Sequence, residues 1–222
     1  MDMQLNEKKA LITGSSSGIG YAIAEALAAE GADVIITGRH EITVSEAVHK
    51  IKHLHPETNP RGITGDCSTQ TGCEKIFDAA PSVDILINNL GIYERKPFFE
   101  IEDDDWMRFF EINVMSGIRF SRFYTPKMVA NKWGRVIFVS SESGLMIPPE
   151  MIHYGFSKSA QLSISRGLAI SLSGTGVTVN ALLPGPTRTD TTEKQRKERA
   201  QDWGISLETL EREFFDKFRP TS

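Results

Sequence analysis

The 222-residue chain predicts a single doubly wound α/β domain, a parallel sheet with helices on both faces. Three observations carry this. Near the amino terminus a short apolar run enters a glycine-rich turn, a helical pattern follows, and a second apolar run comes after it. Further along, apolar strand candidates alternate with helical patterns. With 40% hydrophobic residues the chain can bury one sizeable core, and no linker, internal repeat or low-complexity stretch divides it.

Lys9 to Thr13 reads as the first buried strand, running into Gly14-Ser15-Ser16-Ser17-Gly18-Ile19-Gly20. Ile19, Ile23 and Leu27 then recur at helical spacing, and Gly31-Ala32-Asp33 ends that helix before Val34-Ile35-Ile36. Strands are expected near 34–37, 61–65, 83–88, 134–140 and 176–183, with helices near 41–54, 70–80, 102–131 and 153–173. The last two helices carry more apolar residues than a surface helix needs, among them Trp106, Phe109, Phe110, Phe120 and Phe123. These face either the sheet or another protein surface. Residues 187–218 read as a helical substrate lid with Trp203, Phe214, Phe215 and Phe218. Within it, the mixed signs of Glu193 to Arg199 describe a solvated helix face.

Strand, glycine turn and helix together aim a helix amino terminus and loose backbone N–H groups at a phosphate. Gly14 allows the sharp turn, Gly18 the approach of backbone to a pyrophosphate, and Gly20 the close packing of the helix. The bland alternative is a glycine-rich turn in an ordinary α/β protein. The spacing is Thr-Gly-x-x-x-Gly-x-Gly from Thr13 to Gly20, distinct from G-x-G-x-x-G.

Tyr154 and Lys158 are the candidate proton-transfer pair, with Ser141 upstream. On a helix a spacing of four places phenol and ammonium on one face, one turn apart. A free tyrosine titrates near ~10, so poising it near neutrality takes ~4 kcal/mol of differential stabilisation, which a neighbouring lysine and a bound cofactor's charge can supply. Alone, the spacing also fits a solvated pair on an exposed helix. His153, adjacent in sequence, diverges from Tyr154 by about 100° and reads as structural or surface.

With these motifs in order, the chain resembles the short-chain dehydrogenase/reductase family from about residue 5 onward. Asp84-Ile85-Leu86-Ile87-Asn88-Asn89-Leu90-Gly91 is similar to the family's Asn-Asn-Ala-Gly strand end, with Leu90 in place of alanine. Asn113 stands where the family has a helix-kinking asparagine that helps relay protons. Ser141 stands at the catalytic serine, and Pro184-Gly185 at the cofactor-closing turn. The resemblance implies that Ser141 hydrogen-bonds the substrate oxygen and Tyr154 exchanges the proton. Lys158 lowers the tyrosine pKa and holds the nicotinamide ribose, while Asn113 anchors a water relay. It implies cofactor contacts from Gly14, Ser16, Ser17, Gly18, Ile19, Gly20, Asp66, Asn88, Gly91, Pro184, Gly185, Thr187 and Thr189. It also implies a homodimer or homotetramer through the helices at 102–131 and 153–173. Relatives continue past Arg219-Pro220-Thr221-Ser222 through another helix and a last strand, so this sequence is expected to omit residues of the protein.

No acid ends the second strand, which reads Ile36-Thr37-Gly38-Arg39. Arg39 could pair with a ribose 2′-phosphate, which ranks NADP(H) ahead of NAD(H), although Glu41 nearby tempers this. Met146, Ile147, Pro148, Met151 and Ile152 would line an apolar wall near Tyr154. The predicted activity is hydride transfer between nicotinamide and a carbonyl or alcohol, of the 3-oxoacyl reductase type. An epimerase or dehydratase on the same scaffold, or a nucleotide-sensing protein, are the alternatives. Net charge of −4 gives no reason to expect nucleic acid, and no apolar stretch is long enough to span a membrane. Cys67 and Cys73 lack metal-ligand spacing and read as reduced structural residues of a cytoplasmic protein.

Overall fold

Alternation along the first strand fixes which face each residue serves. A computed structural model describes residues 3–218, and in its strand β1 (Lys9–Ile12) Ala10 and Ile12 pack to one side of the sheet while Leu11 packs to the other. The same alternation recurs in β2 (Asp33–Gly38) and β4 (Ile85–Asn88). Val34, Ile36, Ile85 and Ile87 join Ala10 and Ile12 in one core. That core is closed by Ala24 and Ala28 of α1 (Gly18–Ala29) and by Val44, Ala47 and Ile51 of α2 (Glu41–Leu54). Leu11, Ile35 and Leu86 face a second core. It is closed by Ile76 of α3 (Gln70–Ala79) and by Phe120, Tyr124 and Met128 of α5 (Ser116–Ala130).

All six strands are parallel, in the order β3-β2-β1-β4-β5-β6, where β3 is Arg61–Thr64, β5 Gly134–Val139 and β6 Val177–Leu182. This is the doubly wound, Rossmann-like arrangement the sequence predicts. Its order reverses between β1 and β4, and that reversal opens a crevice at the carboxyl ends of the strands.

One expected element differs. The helix predicted over 102–131 is α4 (Asp103–Phe109), a π-helical stretch Phe110–Met115, and then α5. The π turn takes in one extra residue per turn and so interrupts the α ladder at Asn113. Helix α6 (Ile152–Ser171) follows a single 3₁₀ turn, Glu142–Gly144. The aromatics sort themselves: Phe109 and Phe120 are fully buried within the chain, and Phe123 stacks on Phe77 at 4.0 Å. Tyr124 donates to the Ala80 carbonyl at 2.8 Å.

The chain forms two compact units, Met1–Gly185 and Pro186–Ser222. The second contains α7 (Asp190–Asp202) and α8 (Leu207–Phe218). Thr189 caps α7 by accepting from the Thr192 N–H at 3.2 Å, and Arg188 and Arg196 both pair with Glu211 of α8. Trp203 is exposed. The side chains of Phe215 and Phe218, and the expected continuation past Arg219-Pro220-Thr221-Ser222, lie outside the described residues.

Candidate active site

The glycine turn is built from backbone that only glycine adopts without strain: Gly14 and Gly18 have φ of +63° and +61°. A Cβ on Gly20 would stand 2.5 Å from Asn89 Nδ2 and 2.6 Å from the Gly14 carbonyl oxygen, so the turn closes on itself here rather than merely on the sheet. Asn89 holds it shut, donating to the Thr13 and Gly14 carbonyls at 2.9 and 3.0 Å. The Thr13 hydroxyl accepts from the N–H groups of Asn89 and Leu90 at 2.9 and 3.0 Å, which joins the ends of β1 and β4 across the crevice. Ser15 is consumed structurally, donating to the Ile12 carbonyl and accepting from the Thr37 N–H.

Ser17 is the N-cap residue of α1, its side chain makes no cap bond, and no acid occupies the first turn. The first N–H groups of α1 therefore stay available to an anion. Ser16 lies beside the end of β2, where its Oγ is 3.1 Å from where a Cβ on Gly38 would be. Arg39 follows in an exposed position. Burial raises the Asp66 carboxyl, but hydrogen bonds from the Ser68 hydroxyl and N–H, together with the Arg39 charge, outweigh it and hold the group below the usual carboxylate range. A turn that excludes a Cβ, an uncapped helix start and a cation at the next strand end fit a dinucleotide.

The Asn88 side chain is engaged with α5. Its amide donates to Ser121 of α5 at 3.0 Å and its carbonyl oxygen is buried without a partner among the described residues. Gly91 does border the site: a Cβ there would stand 3.3 Å from Lys158 Nζ and 3.5 Å from Asn113 Oδ1.

Ser141, Tyr154, Lys158 and Asn113 converge. The Ser141 hydroxyl accepts from the Ser143 N–H at 3.1 Å and stands close enough to the Tyr154 phenol to favour its ionised form. Lys158 Nζ lies 5.8 Å from the centre of the Tyr154 ring and donates to the Val139 carbonyl at 2.9 Å. Burial depresses the Lys158 pKa to about 8. Burial also raises the Tyr154 phenol above its ordinary value, against the Ser141 hydroxyl, and Tyr93 and Glu142 raise it further. In the protein alone the phenol stays protonated, because desolvation penalises the phenolate and the ammonium alike.

Asn113 is clamped. Its Oδ1 accepts from the Ile92 N–H at 2.8 Å, and its Nδ2 donates to the Ile92 carbonyl and to Ser157 Oγ, each at 2.9 Å. Its backbone carbonyl accepts the Gln161 amide at 2.5 Å. Ser157 and Gln161 are thus site-building residues not singled out from sequence, and Thr13 and Asn89, quoted there as parts of motifs, join them. Gln161 was within reach of helical spacing, since Tyr154, Lys158 and Gln161 run i, i+4, i+7 on one face.

Pro184 touches the site through its carbonyl, which accepts from the Glu142 N–H at 3.2 Å, and Gly185 follows it in the first unit. Thr187 and Thr189 belong to the second unit, where both oxygens of Thr189 and the Thr187 carbonyl are engaged with Thr192. His153 is fully buried against Phe109, ring centres 4.2 Å apart, and its burial lowers its pKa, in keeping with a structural role. Both cysteines are free, and burial pushes them up to about 11 and about 12. Among the described residues no cluster of three His, Cys, Asp or Glu is placed to hold a metal ion, and no helix is long and apolar enough to cross a membrane.

The family model described as short chain dehydrogenase matches residues 8–200. The chain is 46% identical over 222 residues to the uncharacterized oxidoreductase YvaG of Bacillus subtilis, covering 100% of this chain and 84% of that protein. It is 34% identical over 190 residues to a 3-oxoacyl-[acyl-carrier-protein] reductase of Escherichia coli, covering 86% and 78%. The structure of L-sorbose reductase from Gluconobacter frateurii, complexed with NADPH and L-sorbose, superposes with a TM-score of 0.92 at 30% identity, over 98% of this chain and 84% of that one. With its six-stranded parallel sheet, glycine turn and Ser-Tyr-Lys cluster, the chain belongs to the short-chain dehydrogenase family, oxidoreductases that act on CH–OH and C=O groups.

Proposed function

We propose that the protein is an NADP(H)-dependent carbonyl reductase of the 3-oxoacyl type. The observation that carries this reading is the convergence of Ser141, Tyr154 and Lys158 beside an apolar surface. Leu145 and Met146, just past the 3₁₀ turn that Ser141 begins, are 72% and 77% exposed, and Ile147 lies against Gly155 of α6. Tyr93 stands edge-on to Tyr154 at 6.4 Å. Such a wall suits an acyl chain better than a polyol, whose hydroxyls would lie against carbon.

When bound, the nicotinamide supplies hydride to the carbonyl carbon. Ser141 hydrogen-bonds the carbonyl oxygen, and Tyr154 gives that oxygen its proton. Lys158, held between the Val139 carbonyl and the Tyr154 ring, donates to the ribose and restores favour to the phenolate as charge develops. Gly14, Ser16, Ser17, Gly18, Ile19 and Gly20 hold the pyrophosphate end, and Arg39 pairs with the 2′-phosphate. NADPH in the L-sorbose reductase complex supports this choice of cofactor. The same reading makes the enzyme a cytoplasmic homo-oligomer, with exposed Met107 and Phe156 on α4 and α6 available to a second copy.

Turnover of a panel of 3-oxoacyl thioesters, simple ketones and sugars with NADPH and NADH tests the proposal. Tyr154→Phe is expected to lower kcat by ~10²–10⁴ while cofactor binding persists; a near-wild-type rate would overturn the assignment. Arg39→Ala is expected to weaken NADPH at least ~10-fold more than NADH. A strong preference of the wild-type protein for NADH would remove Arg39 from its role.

A further inference from the structure

Gln161 occupies a place in the site that neither the motif nor the proposed chemistry requires. It is 1% exposed, in the third turn of α6, and both ends of its side chain are spent on the reaction centre. Its Nε2 donates to the Asn113 carbonyl at 2.5 Å, and its Oε1 accepts from Lys158 Nζ at 3.3 Å. The carbonyl it takes belongs to the π-helical stretch, where the regular ladder is interrupted. We propose that Gln161 is a positioning residue for Lys158: its amide bridges the π turn of one helix and the amine of another, and sets where that amine stands relative to Tyr154.

A primary amide is directional. Once the Asn113 carbonyl fixes the NH₂ end, the carbonyl end can point only one way, toward Lys158. The ammonium has three donors, of which Val139 takes one and Gln161 a second. The third proton remains for an oxygen of a bound ligand, and Gly91, where a Cβ would come within 3.3 Å of Nζ, keeps the space beside the amine open. An apolar residue at 161 would leave both the Asn113 carbonyl and one lysine proton without these partners in a buried setting, and the amine would be free to turn. The role rests on the function proposed above for Lys158, but the amide bridge can be tested without catalysis.

The experiment compares wild type, Gln161→Met and Gln161→Glu. Met keeps the volume and removes both hydrogen bonds, while Glu keeps an acceptor for Lys158 and adds charge. In the protein without cofactor, the Lys158 side chain is followed by NMR of ¹³C-labelled lysine, its signal assigned with Lys158→Arg. Loss of the acceptor in Gln161→Met is expected to lower the titration midpoint by roughly half a pH unit or more, and Gln161→Glu to raise it. In turnover with NADPH, Gln161→Met is expected to lower kcat ~10-fold with KM for the carbonyl substrate changed less than ~3-fold, as loss of positioning does. Midpoints unchanged in both variants would overturn the bridge. Should Gln161→Met fail to fold, an unchanged midpoint in Gln161→Glu alone would do so. If the midpoints move while wild type reduces no carbonyl on the panel, the bridge stands and the proposed function falls.

Discussion

With 4% of its surface exposed, Lys158 carries its amine where the charged form is penalised, and its pKa falls from 10.5 to about 8. In the unfolded chain the amine keeps its proton to pH ~10.4. Between about pH 8 and that value the unfolded state binds more protons, so this group makes stability rise with pH; below about pH 8 both states are charged and the desolvation penalty is present in full. Between pH 7.5 and 9.5 wild type should gain about 2 kcal/mol relative to Lys158→Met, read from urea midpoints at the two pH values. Equal slopes for the two proteins would mean that the amine is not desolvated. That Lys158 and Tyr154 share one helix face was legible in the sequence from their spacing. The depressed lysine and elevated phenol were not, since both follow from burial that the tertiary fold creates. Gln161 and Ser157 stayed hidden for a related reason: in Ser157-Lys158-Ser159-Ala160-Gln161 they read as polar helix positions until Asn113 is brought against them.

At the scale of elements, the turn between β1 and α1 is the most tightly specified piece of backbone. Its glycines were legible because left-handed φ and close approach leave few residue choices. What closes the turn, Asn89 at the end of β4, comes from 69 residues beyond Gly20, at a distance that no local pattern conveys. Gly20→Ala would drive a methyl into Asn89 Nδ2 and the Gly14 carbonyl, and the backbone oxygen cannot swing aside. The expected result is a loss of ~1–3 kcal/mol in stability together with weaker NADPH binding, measured by thermal melts and cofactor fluorescence titration. Wild-type affinity would show that the turn can open without cost to the phosphate site. The helix at 102–131 was legible in its extent from periodicity, and its interruption at Asn113 only from the resemblance, which places a helix-kinking asparagine there. Periodicity reports apolar spacing, and one extra residue in a π turn shifts that spacing by less than the pattern's own scatter.

For the molecule as a whole, one sheet separates two cores. Phe120 and Ile51 belong to opposite faces, with β1, β2 and β4 between the clusters they join. Because they share no packing partner, Phe120→Leu and Ile51→Val are expected to destabilise independently, the double variant matching the sum of the singles within ~0.5 kcal/mol. Denaturant melts of the three variants check this. A larger deviation would mean that the sheet passes strain from one face to the other. The parallel sense was legible from the alternation of elements, since a strand–helix–strand crossover returns to the sheet with one hand; the order of the strands came only with the structure. The division after Gly185 was legible only as the start of the lid read over 187–218, since Pro184-Gly185-Pro186 interrupts the pattern no more strongly than other turns in the chain.

The π-helical stretch Phe110–Met115 makes chain length itself a constraint. It holds α4 and α5 out of phase, and each residue of helix turns the following side chain by about 100°. Deleting any one residue there could restore an unbroken α ladder, which is locally favourable, yet it would rotate everything before it. Phe109 would leave His153, and Asn113 could not keep Ile92, Ser157 and Gln161 together. Substitutions can therefore accumulate along this segment far more readily than insertions or deletions, and its residue count is a better marker of a working site than the identity of its apolar side chains.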